Sequence, residues 1–169
     1  MKYKNLISPI LWVIACCVSL CGFASSQTIS DYFSRIPHQV FCEAKPAELL
    51  KLAQKGQGVV DTKNGYVRLD GDGAQVSLQI ALFRYKDQNP LLVVAWGDLE
   101  EKDFTHLTIF QEQNGKMKVA DRKLFPINDS KKLSFELPRQ GRTIIVRKHS
   151  GEVSSRWTWN GTSFLHDAK

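Results

Sequence analysis

Trp157 and Trp159 stand two residues apart in an alternating stretch, 153–159. In a β-strand that spacing places both indoles on one face and Arg156, between them, on the other. A paired indole surface offers a large apolar area with a hydrogen-bond donor on each ring, which suits sugar rings, peptides or a partner's apolar anchor. The same pattern also describes a strand whose inner face is core. Arg142, Arg147 and Arg156 fall on the last long hairpin, either as a basic exposed face for phosphate or carboxylate groups, which guanidinium binds through several N–H donors at once, or simply as solvated strand arginines. Trp157, Trp159, Arg147 and Arg156 are the candidate ligand- or partner-binding residues.

Other reactive combinations are weaker. His38 and Cys42 are four apart, as a thiol–imidazole pair on one helical face would be, but Pro37 and Pro46 leave room for two helical turns at most. Asp70-Gly71-Asp72-Gly73 has the spacing of the first two ligands of a calcium loop, yet Ala74 and Ala81 stand where further oxygen ligands belong, and Asp and Gly also suit a tight turn. His38, His106, His149 and His166 show no paired metal-ligand spacing. Ser134 and Ser155 lie in strand-like stretches with no nucleophile-elbow pattern around them. Glu100, Glu101 and Asp103 cluster, but within an acidic stretch that reads as a solvated connection. No cofactor, metal ion or catalytic residue is assigned.

The N-terminus carries an address. Lys2 and Lys4 precede an uncharged run from Leu6 to Ala24, and small residues follow, the layout of a signal peptide cut after Ser26, with Ala24 the other small-residue site. An uncleaved anchor is the competing reading, weakened by Pro9 and the small-residue end. Lipid attachment at Cys16 or Cys21 is a minor alternative: Cys21 follows the large Leu20, and modification of Cys16 would leave an apolar stretch on the mature chain. Removal of residues 1–26 leaves one thiol, Cys42, so the exported body is held by packing, without an internal disulfide. A buried, inert Cys42 is expected.

Residues 27–169 are read as a single domain. The chain has 169 residues, 43% hydrophobic and 10% aromatic, enough for one ordinary core. Loss of Lys2 and Lys4 with the leader lowers the formal net charge from +6 to +4, and the remaining basic residues are scattered in short pairs. Nucleic acid is therefore a poor partner, and no transmembrane span is expected in the mature chain.

Ile29, Phe33 and Ile36 recur at helical spacing and Pro37 ends the run, which predicts a short amphipathic helix. A second begins at Pro46, carries Leu49, Leu50, Leu52 and Ala53, and stops before Gly56. Beyond it the period becomes 2. Residues 66–69 and 75–82 flank the Asp-Gly turn, with Val76, Leu78, Ile80 and Leu82 toward a core and Gln75, Ser77, Gln79 and Ala81 on a partly wet face. Residues 91–96 are apolar without alternation, a central strand buried on both faces. Further strands are expected at 104–111, 116–121, 132–137, 142–148, 153–159 and 162–165, with hairpin turns at Asn114-Gly115 and Asn160-Gly161. Asn128-Asp129-Ser130 and Asn160-Gly161-Thr162 also match the N-glycosylation pattern, relevant only in a eukaryotic secretory host. Connections this short cannot hold crossover helices, so the sheet is antiparallel. The expected fold is α+β: two short N-terminal helices packed on a mostly antiparallel, curved β-meander of about eight strands.

These features predict an exported, non-catalytic binding or accessory domain of the periplasm or cell exterior, acting on an envelope protein or glycan. The first alternative is a small inhibitor of an exogenous hydrolase such as a lysozyme or protease, with Pro138-Arg139-Gln140-Gly141 or His149-Ser150-Gly151-Glu152 as the plugging loop. The second is a small enzyme with a dispersed acid–base site.

Overall fold

The structure is a computed structural model and describes residues 27–41, 44–71, 77–97, 104–127 and 132–167. The leader 1–26, Cys42, the acidic stretch 98–103, Asn128-Asp129-Ser130 and residues 72–76, including Asp72, lie outside the described residues.

Helix α1 is short, Ile29–Phe33. The carboxylate of Asp31 turns back to accept the backbone N–H and the hydroxyl of Thr28, at 2.7 and 2.8 Å, which closes the helix start. The chain leaves the helix after Phe33, but Ile29, Phe33 and Ile36 all remain buried, so the apolar stripe read from the sequence is the packing face. Helix α2 is Pro46–Leu52, with Pro46 in its first turn. It ends in one wide turn, Ala53–Gln57, where Gly56 takes φ +100°, a conformation glycine adopts without a steric penalty.

Ten strands follow. β1 (Gly58–Asp61), β2 (Tyr66–Leu69), β3 (Leu78–Arg84), β4 (Pro90–Trp96), β5 (His106–Gln113) and β6 (Lys116–Val119) form a six-stranded antiparallel sheet in sequence order. β7 (Leu133–Glu136), β8 (Thr143–Lys148), β9 (Val153–Trp159) and β10 (Phe164–His166) form a second antiparallel sheet, ordered β10-β9-β8-β7. Asn114 and Gly115, at φ +53° and +75°, make the two-residue turn between β5 and β6.

The expected single curved meander is corrected to two sheets. The reason lies in β4. Its Leu92 and Val94 join Phe33, Leu49, Leu69 and Ile80 in a core beneath the helices. Leu91, Val93 and Ala95, on its other face, join Phe135, Ile144, Val146 and Trp159 in a second core. A strand apolar on both faces needs a cover on both, and two short helices can cover only one. The longer passage between β6 and β7 carries the chain across, contributing Phe125 to the second core on the way.

β3 is corrected for the same reason. Its second face is dry: Gln79 and Ala81 are buried, and the Gln79 side-chain oxygen accepts the backbone N–H of Leu137 from the opposite sheet at 2.9 Å. β1 was not anticipated. Its pattern is half-buried throughout, without the alternation that marks a strand in sequence.

Candidate functional site: a cationic cleft where the two sheets meet

The four residues singled out by sequence divide between the faces of the second sheet. Trp159 points inward and is 2% exposed, its indole N–H donating to the carbonyl of Arg84 at 2.8 Å. Trp157 points the same way, as the spacing requires, and lies half-buried at the margin of the inter-sheet core against Phe125 and His166, with ring centroids 5.2 and 4.9 Å away. The indoles thus share a face, but that face is turned to the core and forms no exposed pair. Arg156 is exposed on the outer face, opposite Ile145 of β8. Arg147 is half-exposed, and its Nε and Nη2 both donate to Oε2 of Glu136, at 3.0 and 2.8 Å, so a carboxylate already meets its charge.

A different group of cations converges. Where the β1–β2 turn, the β3–β4 turn, the approach to β8 and the β9–β10 loop come together, they enclose a cleft of about 560 Å³. Lys63, Arg84, Lys86 and Arg142 line it, and no carboxylate does among the described residues. None of the four takes part in a salt bridge among the described residues. The acids of the adjoining turns have partners of their own: Asp61 accepts from Asn64 and Arg139, and Asp87 from Asn89.

Each cation is positioned by the fold. The guanidinium of Arg84 donates to the carbonyls of Gln88 and Gln27, at 3.1 and 3.2 Å, and lies 5.7 Å from the ring centre of Tyr32. These contacts orient it without neutralising it. The backbone N–H of Lys86 donates to the Gly161 carbonyl at 3.1 Å, so the second sheet holds the first at this point. Behind Lys63, the Gly65 carbonyl accepts the Leu82 N–H at 2.8 Å, which seats the β1–β2 turn on β3. Gly65 has φ +64°, and a Cβ there would meet that of Leu82 at 3.0 Å, so the turn sits this close only with glycine. The Arg142 carbonyl accepts the Trp159 N–H at 2.9 Å, fixing the main chain while the side chain stays exposed.

A second cleft, of about 650 Å³, lies on the other side of Gly141 and Arg142, which line both. It adds Arg68, Arg139 and Arg147. Each of these three added charges is answered: Arg68 pairs with Asp70, Arg139 with Asp61 and Arg147 with Glu136. Arg139 and Asn64 together hold the Asp61 carboxyl down to about 2, the Asn64 amide contributing most. The 138–141 loop, one of the expected plugging loops, is thereby tied to β1.

Arg142 was noted in the sequence as part of a basic hairpin. Lys63, Arg84 and Lys86 were not, because they come from separate turns and none lies in a charge run. The only local cue is that Arg84 ends β3 and Lys86 stands two residues on, at the entry to the β3–β4 turn. His38, His106, His149 and His166 do not assemble: no group of three or more His, Cys, Asp or Glu suited to a metal ion occurs among the described residues. Ser155 accepts the Trp157 indole N–H at 3.0 Å inside β9. No helix of the described residues is long and apolar enough to cross a membrane. Comparison with protein-family models, curated proteins and solved structures found no match.

Proposed function

We propose that the chain is an exported, non-catalytic binding domain of the periplasm or cell exterior that holds an anionic component of the envelope in the cleft lined by Lys63, Arg84, Lys86 and Arg142. The observation that carries this reading is the concentration of four cations around one concavity with no carboxylate in its wall among the described residues. Holding like charges together in the free protein costs energy, and an anion entering the cleft relieves that cost while gaining charge-assisted hydrogen bonds. The anchoring of Arg84 on two carbonyls supports it too, because a donor already oriented loses less freedom on binding. The leader-like N-terminus supports the location.

The test uses inorganic polyphosphate as probe and calorimetry as readout. The native protein should bind at low ionic strength and weaken as salt is added. Lys86→Ala and Arg142→Ala, both exposed side chains, should together cost at least about tenfold in affinity while leaving the melting temperature in place. Undiminished binding by the doubly substituted, folded protein would discard this site.

A further inference from the structure

We infer that the ligand is an acidic oligosaccharide that enters the first cleft and continues past Arg142 into the second. This rests on the anion-binding reading and names the class of molecule that would satisfy it.

The first reason is continuity. Gly141 and Arg142 line both clefts, so a ligand bound to Arg142 from one side lies at the mouth of the other. Gly141 has φ +89° and nothing within 4 Å of a Cβ position, so no side chain crowds the backbone at the point the two clefts share. A single small anion would use the first cleft alone and leave the second unexplained.

The second reason is the gradient of charge. In the first cleft the cations lack salt-bridge partners among the described residues. In the second, Arg68 and Arg139 each give Nε to a carboxylate, at 2.6 and 2.8 Å, while their side chains stay 48% and 58% exposed. Such arginines still offer N–H donors, but around a centre already balanced in charge. Balanced donors suit hydroxyl and ring oxygens, whereas unbalanced cations suit acid groups. A chain that carries both kinds of group matches the pair of clefts better than a bare polyphosphate does.

The third reason separates glycan from protein. Protein partners insert an aromatic or aliphatic anchor into a desolvated pocket. Of the aromatic side chains in the wall of the first cleft, Phe83 and Trp159 are buried, at 4% and 2% exposure, and the half-buried Tyr85 packs edge-on against Trp159. What the cleft presents is cations with the amide and hydroxyl groups of Thr62, Asn64 and Gln88, the partners of a hydroxylated ligand.

The test compares three probes by calorimetry: galacturonic acid, its linear hexamer, and polyphosphate of the same charge as the hexamer. The hexamer should bind at least about tenfold tighter than the monomer and tighter than the polyphosphate. Arg68→Gln, at an exposed side chain in the second cleft only, should lower hexamer affinity several-fold and leave monomer affinity unchanged, with the melting curve confirming the fold. Equal binding of monomer and hexamer, or indifference of the hexamer to Arg68→Gln, would confine the ligand to the first cleft. Equal or tighter binding of polyphosphate would show that charge alone is read and remove the sugar. In those three cases a loss of binding in Lys86→Ala/Arg142→Ala would leave the anion-binding reading standing. Only failure of every anion to respond to that pair would remove both.

Discussion

Nε of Arg139 lies 2.8 Å from Oδ2 of Asp61, so the loop that leads into β8 of the second sheet is fastened to β1, the edge strand of the first. Asp61 also accepts both the backbone and side-chain N–H groups of Asn64 at the start of the next turn. One carboxylate therefore holds two walls of the cationic clefts: the β1–β2 turn that carries Lys63 and the loop that carries Arg142.

That carboxylate sets an acid limit. The Asn64 amide and then Arg139 lower the Asp61 carboxyl from 3.8 to about 2 in the folded protein. A group with a depressed folded value contributes its stabilisation in full above its unfolded value and loses it as the pH falls through the folded one. The contribution should thus be present at neutral pH and disappear between about 4 and about 2. Asp61→Asn should melt below the native protein at neutral pH, and the gap should close across that window. A gap independent of pH would show that the carboxylate's charge is not what holds the loop.

Gln79 is a second fastening, deep between the sheets. Its side-chain oxygen satisfies the Leu137 N–H, and Gln79 is only 5% exposed. Gln79→Leu keeps the volume but leaves that donor unpaired in a dry place, a cost of about 1–3 kcal/mol by urea unfolding. A neutral substitution would mean that the Leu137 amide finds another acceptor.

The two tryptophans should separate under mutation. Trp159→Ala removes a fully packed ring that touches Phe83, Tyr85 and Phe164, and should cost about 3–5 kcal/mol. Trp157→Ala acts at a half-buried margin and should cost clearly less. Denaturant titration of the two single variants decides this, and equal losses would place Trp157 as deep in the core as its neighbour.

Gly58 opens β1 where the backbone of β2 passes close by. A Cβ at Gly58 would overlap the Arg68 carbonyl, which belongs to rigid strand backbone and cannot swing aside as a side-chain tip would. Gly58→Ala should destabilise the protein by about 1–3 kcal/mol, the usual scale of overpacking, and should loosen the edge strand first. Hydrogen exchange of the β1 and β2 amides checks it: unchanged protection there would mean that the edge absorbs the methyl group without moving.

Much of this architecture was legible along the chain, because it rests on local chemistry. Pro46 opens α2 and Gly56 marks the turn that ends it, since a fixed ring and a positive φ act within a residue or two of themselves, whereas α1 stops at Phe33, ahead of Pro37. The continuous apolar run of β4 announced a strand covered on both sides, and Asn114-Gly115 announced its hairpin. The two-residue spacing of Trp157 and Trp159 placed them on one face, as found. That spacing carries no information on which face meets the core. Alternation is symmetric, and only the partner sheet breaks the symmetry.

The antiparallel sense and the sequential pairing of most strands follow from periodicity and short connections, which are properties of neighbouring residues. The division into two sheets, the drying of the Gln79 face and the meeting of Lys63, Arg84, Lys86 and Arg142 arose only when the chain crossed from β6 to β7 and closed over the first sheet. The reason is physical. A charge's neighbours are set by distance through space, and residues 63 and 142 become neighbours only once the buried area between the sheets has repaid the entropy of bringing such distant segments together.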